Sequence, residues 1–188
     1  MNGDSNLLRT TRIALSKEFI RNAGAWAGFA FALNLAWEIA HVRLYAIWAA
    51  EDGISVAWAL LHCTLGDVLL ALAMFVLAGI VLRRADWPVS RPWTGGIIVV
   101  IGAMTFTAWS EWYNVYRAAN WGYTASMPTI LGIGLSPLMQ WLILPPLMVG
   151  AYRALCPALF GLHGSHSPIS MRPIEVRVDG QGTNRNGR

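Results

Sequence analysis

Four stretches of this chain, residues 23–42, 56–82, 94–112 and 130–152, are apolar almost without interruption. Each is near or above the ~20 residues that a helix needs to cross a bilayer. Composition agrees with that reading. Of the 188 residues, 55% are hydrophobic and only 13% are charged, whereas a soluble domain carries about 25% charged residues. The expected fold is therefore all-α, a polytopic membrane protein built as one four-transmembrane-helix bundle. Residues 1–21 form a basic segment with amphipathic character, suited to the headgroup layer or to setting orientation. Residues 22–155 hold the helices, and residues 156–188, rich in Gly, Ser, His, Asn and Arg, are expected to be a disordered tail.

Basic residues crowd the leader (Arg9, Arg12, Lys17, Arg21), the second connection (Arg83, Arg84, Arg91) and the C-terminal side (Arg153, Arg172, Arg177). The first and third connections hold one each, Arg43 and Arg117. By the positive-inside rule both termini are cytoplasmic, which agrees with four crossings and a multi-pass place in a bacterial inner membrane. The net charge of +4 thus reads as topology and contact with membrane lipid, and no motif for nucleic acid appears. Cys63 and Cys156 form no CxxC or CxxCH, so no thiol-redox, zinc-ribbon or haem-attachment signature is present. Some twenty polar and basic residues precede the first apolar segment, which is expected to stay as an anchor.

Within the first segment, Asn34, Glu38, His41 and Tyr45 follow 4-3-4 spacing, which places all four on one helix face. A charge at the centre of a membrane helix costs about 2.5–3.5 kcal/mol on insertion scales, so such residues normally face protein or water and have a task there. At about 1.5 Å per residue, the other segments deliver polar groups to the same, periplasmic half. These are His62, Cys63 and Asp67 from the second, Glu111 from the third, and Ser136 and Gln140 from the fourth. The inner half is nearly all apolar. Trp37, Trp109, Trp112 and Trp141 lie near this layer, where Trp37 and Trp112 are candidates to wall a ligand pocket. Gly66 is expected to permit close helix approach. The third connection is rich in Trp and Tyr and reads as a lid or interfacial belt. Pro137, Pro145 and Pro146 are expected to bend the fourth helix and open space beside Gln140.

Two chemistries fit the layer. Glu38, Asp67 and Glu111 beside His41 and His62 supply the carboxylates and imidazoles of an acid/base site, where a low dielectric sets carboxyl groups apart in acidity. Alternatively, Glu38 and His41 at i,i+3, with His62, could ligate a transition-metal ion. His62 and Asp67 lie about 140° apart round their helix, so no second Glu-x-x-His set completes a di-metal site. A proton or ion path fits poorly, because nothing polar continues to the cytoplasmic side. Asn34, His62, Ser136 and Gln140 also have a purely structural reading, as interhelical bonds worth ~0.6 kcal/mol apiece. His163 and His166 belong to the tail and are read as solvent-exposed.

The blocks Asn34-Leu-Ala-Trp-Glu38-Ile-Ala-His41, His62-Cys-Thr-Leu-Gly-Asp67-Val and Gly134-Leu-Ser-Pro-Leu-Met-Gln140-Trp141 resemble those of a small bacterial four-helix integral membrane family. The likeness covers roughly residues 25–150 and implies no catalytic roles. In architecture the chain is also similar in outline to the emopamil-binding (EXPERA) group, in which acids in a membrane pocket handle a lipid substrate. The expected function is binding of a hydrophobic lipid- or isoprenoid-like small molecule, with acid/base chemistry on it. Glu38 and His41 are the core pair, Asp67 and Glu111 are further acids, and Asn34, His62 and Gln140 are ligand contacts. The alternatives are a transition-metal protein and a helper subunit without chemistry.

Overall fold

The structure is a computed structural model and describes residues 17–159. The basic leader as far as residue 16, and the tail from residue 160 with His163 and His166, lie outside the described residues. Four long helices carry the fold: α1 (Lys17–His41), α2 (Gly53–Leu82), α3 (Pro92–Trp112) and α4 (Leu135–Leu159).

Each helix boundary has a local cause. The Asp52 carboxylate accepts from the amides of Ile54 and Ser55 at 2.9 and 2.8 Å, capping two donors that the first turn of α2 leaves unpaired. At the other end Arg83 turns left-handed, with φ 53°. The Arg84 and Arg83 amides then reach back to the carbonyls of Gly79 and Ile80 at 3.0 and 3.1 Å, which is a Schellman closure. Pro92 opens α3, where its missing N–H costs nothing, and α3 runs on into a π-helical turn, Tyr113–Arg117. α4 is continuous through Pro145 and Pro146.

The fourth apolar segment does not begin as a helix. Residues Thr129–Ile130 (β1) and Ile133–Gly134 (β2) pair as a small antiparallel hairpin. Its turn residues Leu131 and Gly132 both have positive φ, 52° and 80°, the conformation that a two-residue hairpin favours. The Tyr116 hydroxyl donates to the Gly132 carbonyl at 2.6 Å and the Leu135 amide to that of Pro128 at 2.8 Å. These bonds are available to strands and not to the first turn of a helix, so α4 starts only at Leu135.

α1 packs against α2 and α4, and α3 packs against the same two, so the four helices close a ring. α1 and α4 run antiparallel: His41 meets Ser136, Asn34 meets Gln140, and Trp26 meets Tyr152. At the end where α1 begins, the core is aromatic. Trp26, Phe75 and Trp87 stand 5.3–5.5 Å apart between ring centroids, and all three are fully buried. The indole N–H groups of Trp26 and Trp87 donate to the α2 carbonyls of Ala71 and Phe75, each at 3.1 Å. That satisfies the polar edge of each buried ring. Trp87 lies so close to α3 that a Cβ on Gly95 would stand 2.0 Å from its ring; only glycine fits there. Gly66, by contrast, is exposed and has open space beside it. The expected close approach is made by Gly95 and Gly102 instead, because Gly66 sits one residue, about 100°, off the inward face of α2.

The outside of the ring is apolar, with Ile54, Trp58, Leu65, Leu69, Ile97, Ile101 and Leu147 all exposed. Soluble helices show the reverse arrangement. Among the described residues three helices are long and apolar enough to cross a membrane: Gly53–Leu82, Pro92–Arg117 and Leu135–Cys156. α1 has the length, 25 residues, but Asn22, Asn34 and Glu38 among many Ala and Gly leave it less apolar than the other three.

Candidate functional site

The other end of the ring is polar, and its polar groups bond to one another. In the deepest layer Gln140 of α4 is buried, and its Nε2 donates to Asn34 Oδ1 of α1 and to Asp67 Oδ2 of α2, both at 2.7 Å. Asn34 is itself fixed by Nδ2 donating to the Ala30 carbonyl at 2.7 Å. The Asp67 carboxyl also lies within hydrogen-bond reach of that of Glu38. Gln140, expected beside open space, is instead enclosed by these partners.

One turn closer to the end, Glu38 Oε2 stands 3.2 Å from His41 Nε2, with side chains only 12% and 7% exposed. The other ring nitrogen, Nδ1, lies 2.8 Å from Ser136 Oγ. Three helices thus contribute one continuous run: Ser136, His41, Glu38, Asp67, Gln140, Asn34. The i,i+3 spacing of Glu38 and His41 makes their contact local, and the antiparallel packing of α1 on α4 brings Ser136 to it.

Above this run lies Glu111, buried at the end of α3. Tyr45 donates to its Oε1 at 3.2 Å and Tyr123 to its Oε2 at 2.5 Å. The Tyr123 oxygen accepts from the Gly134 amide at 3.0 Å, which ties the site to the start of α4. The His41 and Tyr45 rings meet edge to face at 5.4 Å, and the Tyr45 and Tyr123 rings lie 5.7 Å apart. Burial above all, and then the Glu111 carboxylate, push both tyrosine hydroxyls above their ordinary range.

The two loops at this end are stitched together. Ala46 donates to the Gly122 carbonyl and Thr124 to that of Leu44, each at 2.9 Å, around a bridge between Tyr45 and Tyr123. The aromatic connection read as a lid therefore folds over the polar end and supplies Tyr123 from above.

Of the residues singled out in the sequence, Asn34, Glu38, His41, Asp67, Glu111 and Gln140 gather at this end. Trp37 packs against His41, ring centroids 6.3 Å apart. Two others do not join: His62 is exposed on the far side of α2, and Trp112 is 46% exposed on the outside of α3. With His62 turned away, the ligand set of His41, His62 and Glu38 is not assembled. Among the described residues no three His, Cys, Asp or Glu side chains lie where they could hold a metal ion. Three residues carry more than the sequence suggested. Ser136 looked like helix glue, Tyr45 had only its helical spacing, and Tyr123 was one aromatic among many in its connection. Trp37 Nε1 and Thr64 Oγ1, both at this end, are buried without a protein partner. No protein-family model, curated protein or solved structure matches this chain.

Proposed function

We propose that this protein crosses the bacterial inner membrane four times with both termini in the cytoplasm, and that its polar end is an acid/base site for a hydrophobic, lipid- or isoprenoid-like small molecule. In this reading α1 is the fourth span, its polar face shielded from lipid by α2 and α4. The polar end then lies in the periplasmic half, and ligand enters sideways from the bilayer.

The observation that carries the proposal is the meeting of the Glu38 and Asp67 carboxyls in the run that also holds His41. A clasp that only joined helices would pair donors with acceptors, as Gln140 and Asn34 do. Two carboxyls side by side repel when both are ionised and so hold a proton between them. An imidazole in contact with that pair is placed to take up and return a proton. The unpartnered Trp37 N–H and Thr64 hydroxyl support a polar contact with a ligand, since buried groups left unbonded by protein are rare and call for a partner.

Native mass spectrometry of the detergent-purified chain, with organic extraction of what it carries, is the test. The expected result is a retained apolar molecule that Glu38→Gln and His41→Gln release while thermal unfolding stays cooperative. If both variants keep whatever the wild type carries and lose only melting temperature, the helper reading replaces this one.

A further inference from the structure

Ser136, His41 and Glu38 stand in the order nucleophile, base, acid. Ser136 Oγ is 2.8 Å from His41 Nδ1, and His41 Nε2 is 3.2 Å from Glu38 Oε2. Both separations fall within or at the edge of the hydrogen-bond range that activates a serine. Such a set is recognised by geometry and role, not by chain order or fold.

The direction of each bond follows from the neighbours. Asp67 Oδ2 accepts from Gln140, and the Asp67 carboxyl lies within hydrogen-bond reach of that of Glu38. A carboxylate can only accept, so an ionised Glu38 takes a hydrogen bond from His41 Nε2. The imidazole proton therefore sits on Nε2. His41 Nδ1 is then the bare nitrogen, and Ser136 is the donor to it. In this arrangement the contacts of Ser136 with His41 and of His41 with Glu38 each pair one donor with one acceptor. It leaves the serine hydroxyl polarised by a base that is itself held in the correct tautomer.

Ser136 is also the second residue of α4. Amides in the first turn of a helix have no intrahelical acceptor, and their positive end of the dipole favours negative charge nearby.

We propose that Ser136 is a nucleophile, activated by His41 and Glu38, that cleaves an ester bearing an apolar acyl chain. The proposal rests on the ligand reading above and names its substrate class. Ser136 Oγ attacks the carbonyl carbon while its proton passes to His41 Nδ1. The carbon–oxygen bond of the ester breaks, and the departing alcohol takes that proton. Water, deprotonated by His41, then attacks the acyl-serine and frees the fatty acid, and the proton returns to Ser136.

The test is labelling of the full-length, detergent-purified wild type with a fluorophosphonate carrying a long alkyl chain, the modified residue being located by peptide mass spectrometry. The expected adduct is on Ser136, and its formation is at least about 100-fold slower in His41→Gln and Glu38→Gln, the scale on which a positioned base acts. Ser136→Ala should give no adduct. Because the wild-type adduct site is read directly, the result does not depend on any variant folding. Absence of an adduct on Ser136, or an equal rate in His41→Gln, overturns the nucleophile. If the unlabelled wild type still retains an apolar molecule, the ligand reading survives that failure; if it retains none, both fall.

Discussion

Asp67 meets two demands that an aspartate satisfies poorly: it accepts from Gln140 and faces the carboxyl of Glu38. An asparagine would meet both without a charge, accepting through its oxygen and donating through its amide. Asp67→Asn should therefore raise the melting temperature by about 2–4 °C, roughly 1 kcal/mol for a chain of this size, read from Trp fluorescence in detergent. Stabilisation of this kind is common where a native site is kept strained for its task. Tyr123 is the opposite case. Phenylalanine there removes the 2.5 Å bond to Glu111 and the acceptor for the Gly134 amide, at a cost of about 1–2 kcal/mol. Tyr45 and Tyr123 are held neutral above their ordinary range. The unfolded chain therefore loses these protons first, and stability is full below pH ~10 and falls as pH rises past it. Tyr123→Phe should flatten that alkaline loss in a pH series of melting temperatures. The helical spacing of Asn34, Glu38 and His41 was legible in the sequence because 3.6 residues per turn is a local rule. Ser136, which meets His41 from 95 residues away, carries no local mark.

Among the elements, α2 and α3 show how much one side of a helix differs from the next. Gly95 lies under Trp87 and Gly66 faces open space. Gly95→Ala should lower stability by about 1–3 kcal/mol through overpacking of a ring that cannot retreat. Gly66→Ala should leave stability unchanged or raise it by about 0.5–1 kcal/mol, since alanine is the better helix former. Thermal unfolding of the two variants side by side checks both. Apolar segment lengths anticipated all four long helices, because runs of about 20 apolar residues are long enough for several helical turns. The hairpin ahead of α4 was hidden inside one of those runs. Ile130, Leu131 and Ile133 look helical or buried by composition, and only the positive φ of Leu131 and Gly132 and the Tyr116 bond make them a turn.

For the whole molecule, the arrangement is apolar outside and polar within one end, as suits a protein dissolved in lipid. Reporter fusions at residues 52, 88, 120 and 165 test the orientation: 52 and 120 should read periplasmic, 88 and 165 cytoplasmic, and a periplasmic 88 would invert every depth assigned to the site. The amino-acid sequence by itself determined the helical class, the presence of the four long helices and the supply of acids and imidazoles along them, because hydropathy and helical period act within a few turns of chain. It could not decide which faces meet. His62 and Asp67 lie five residues apart, yet one looks outward and the other binds Gln140. Tertiary structure alone chose between them, and placed Ser136 on His41, because those contacts depend on the rotation and register of whole helices packed in a ring.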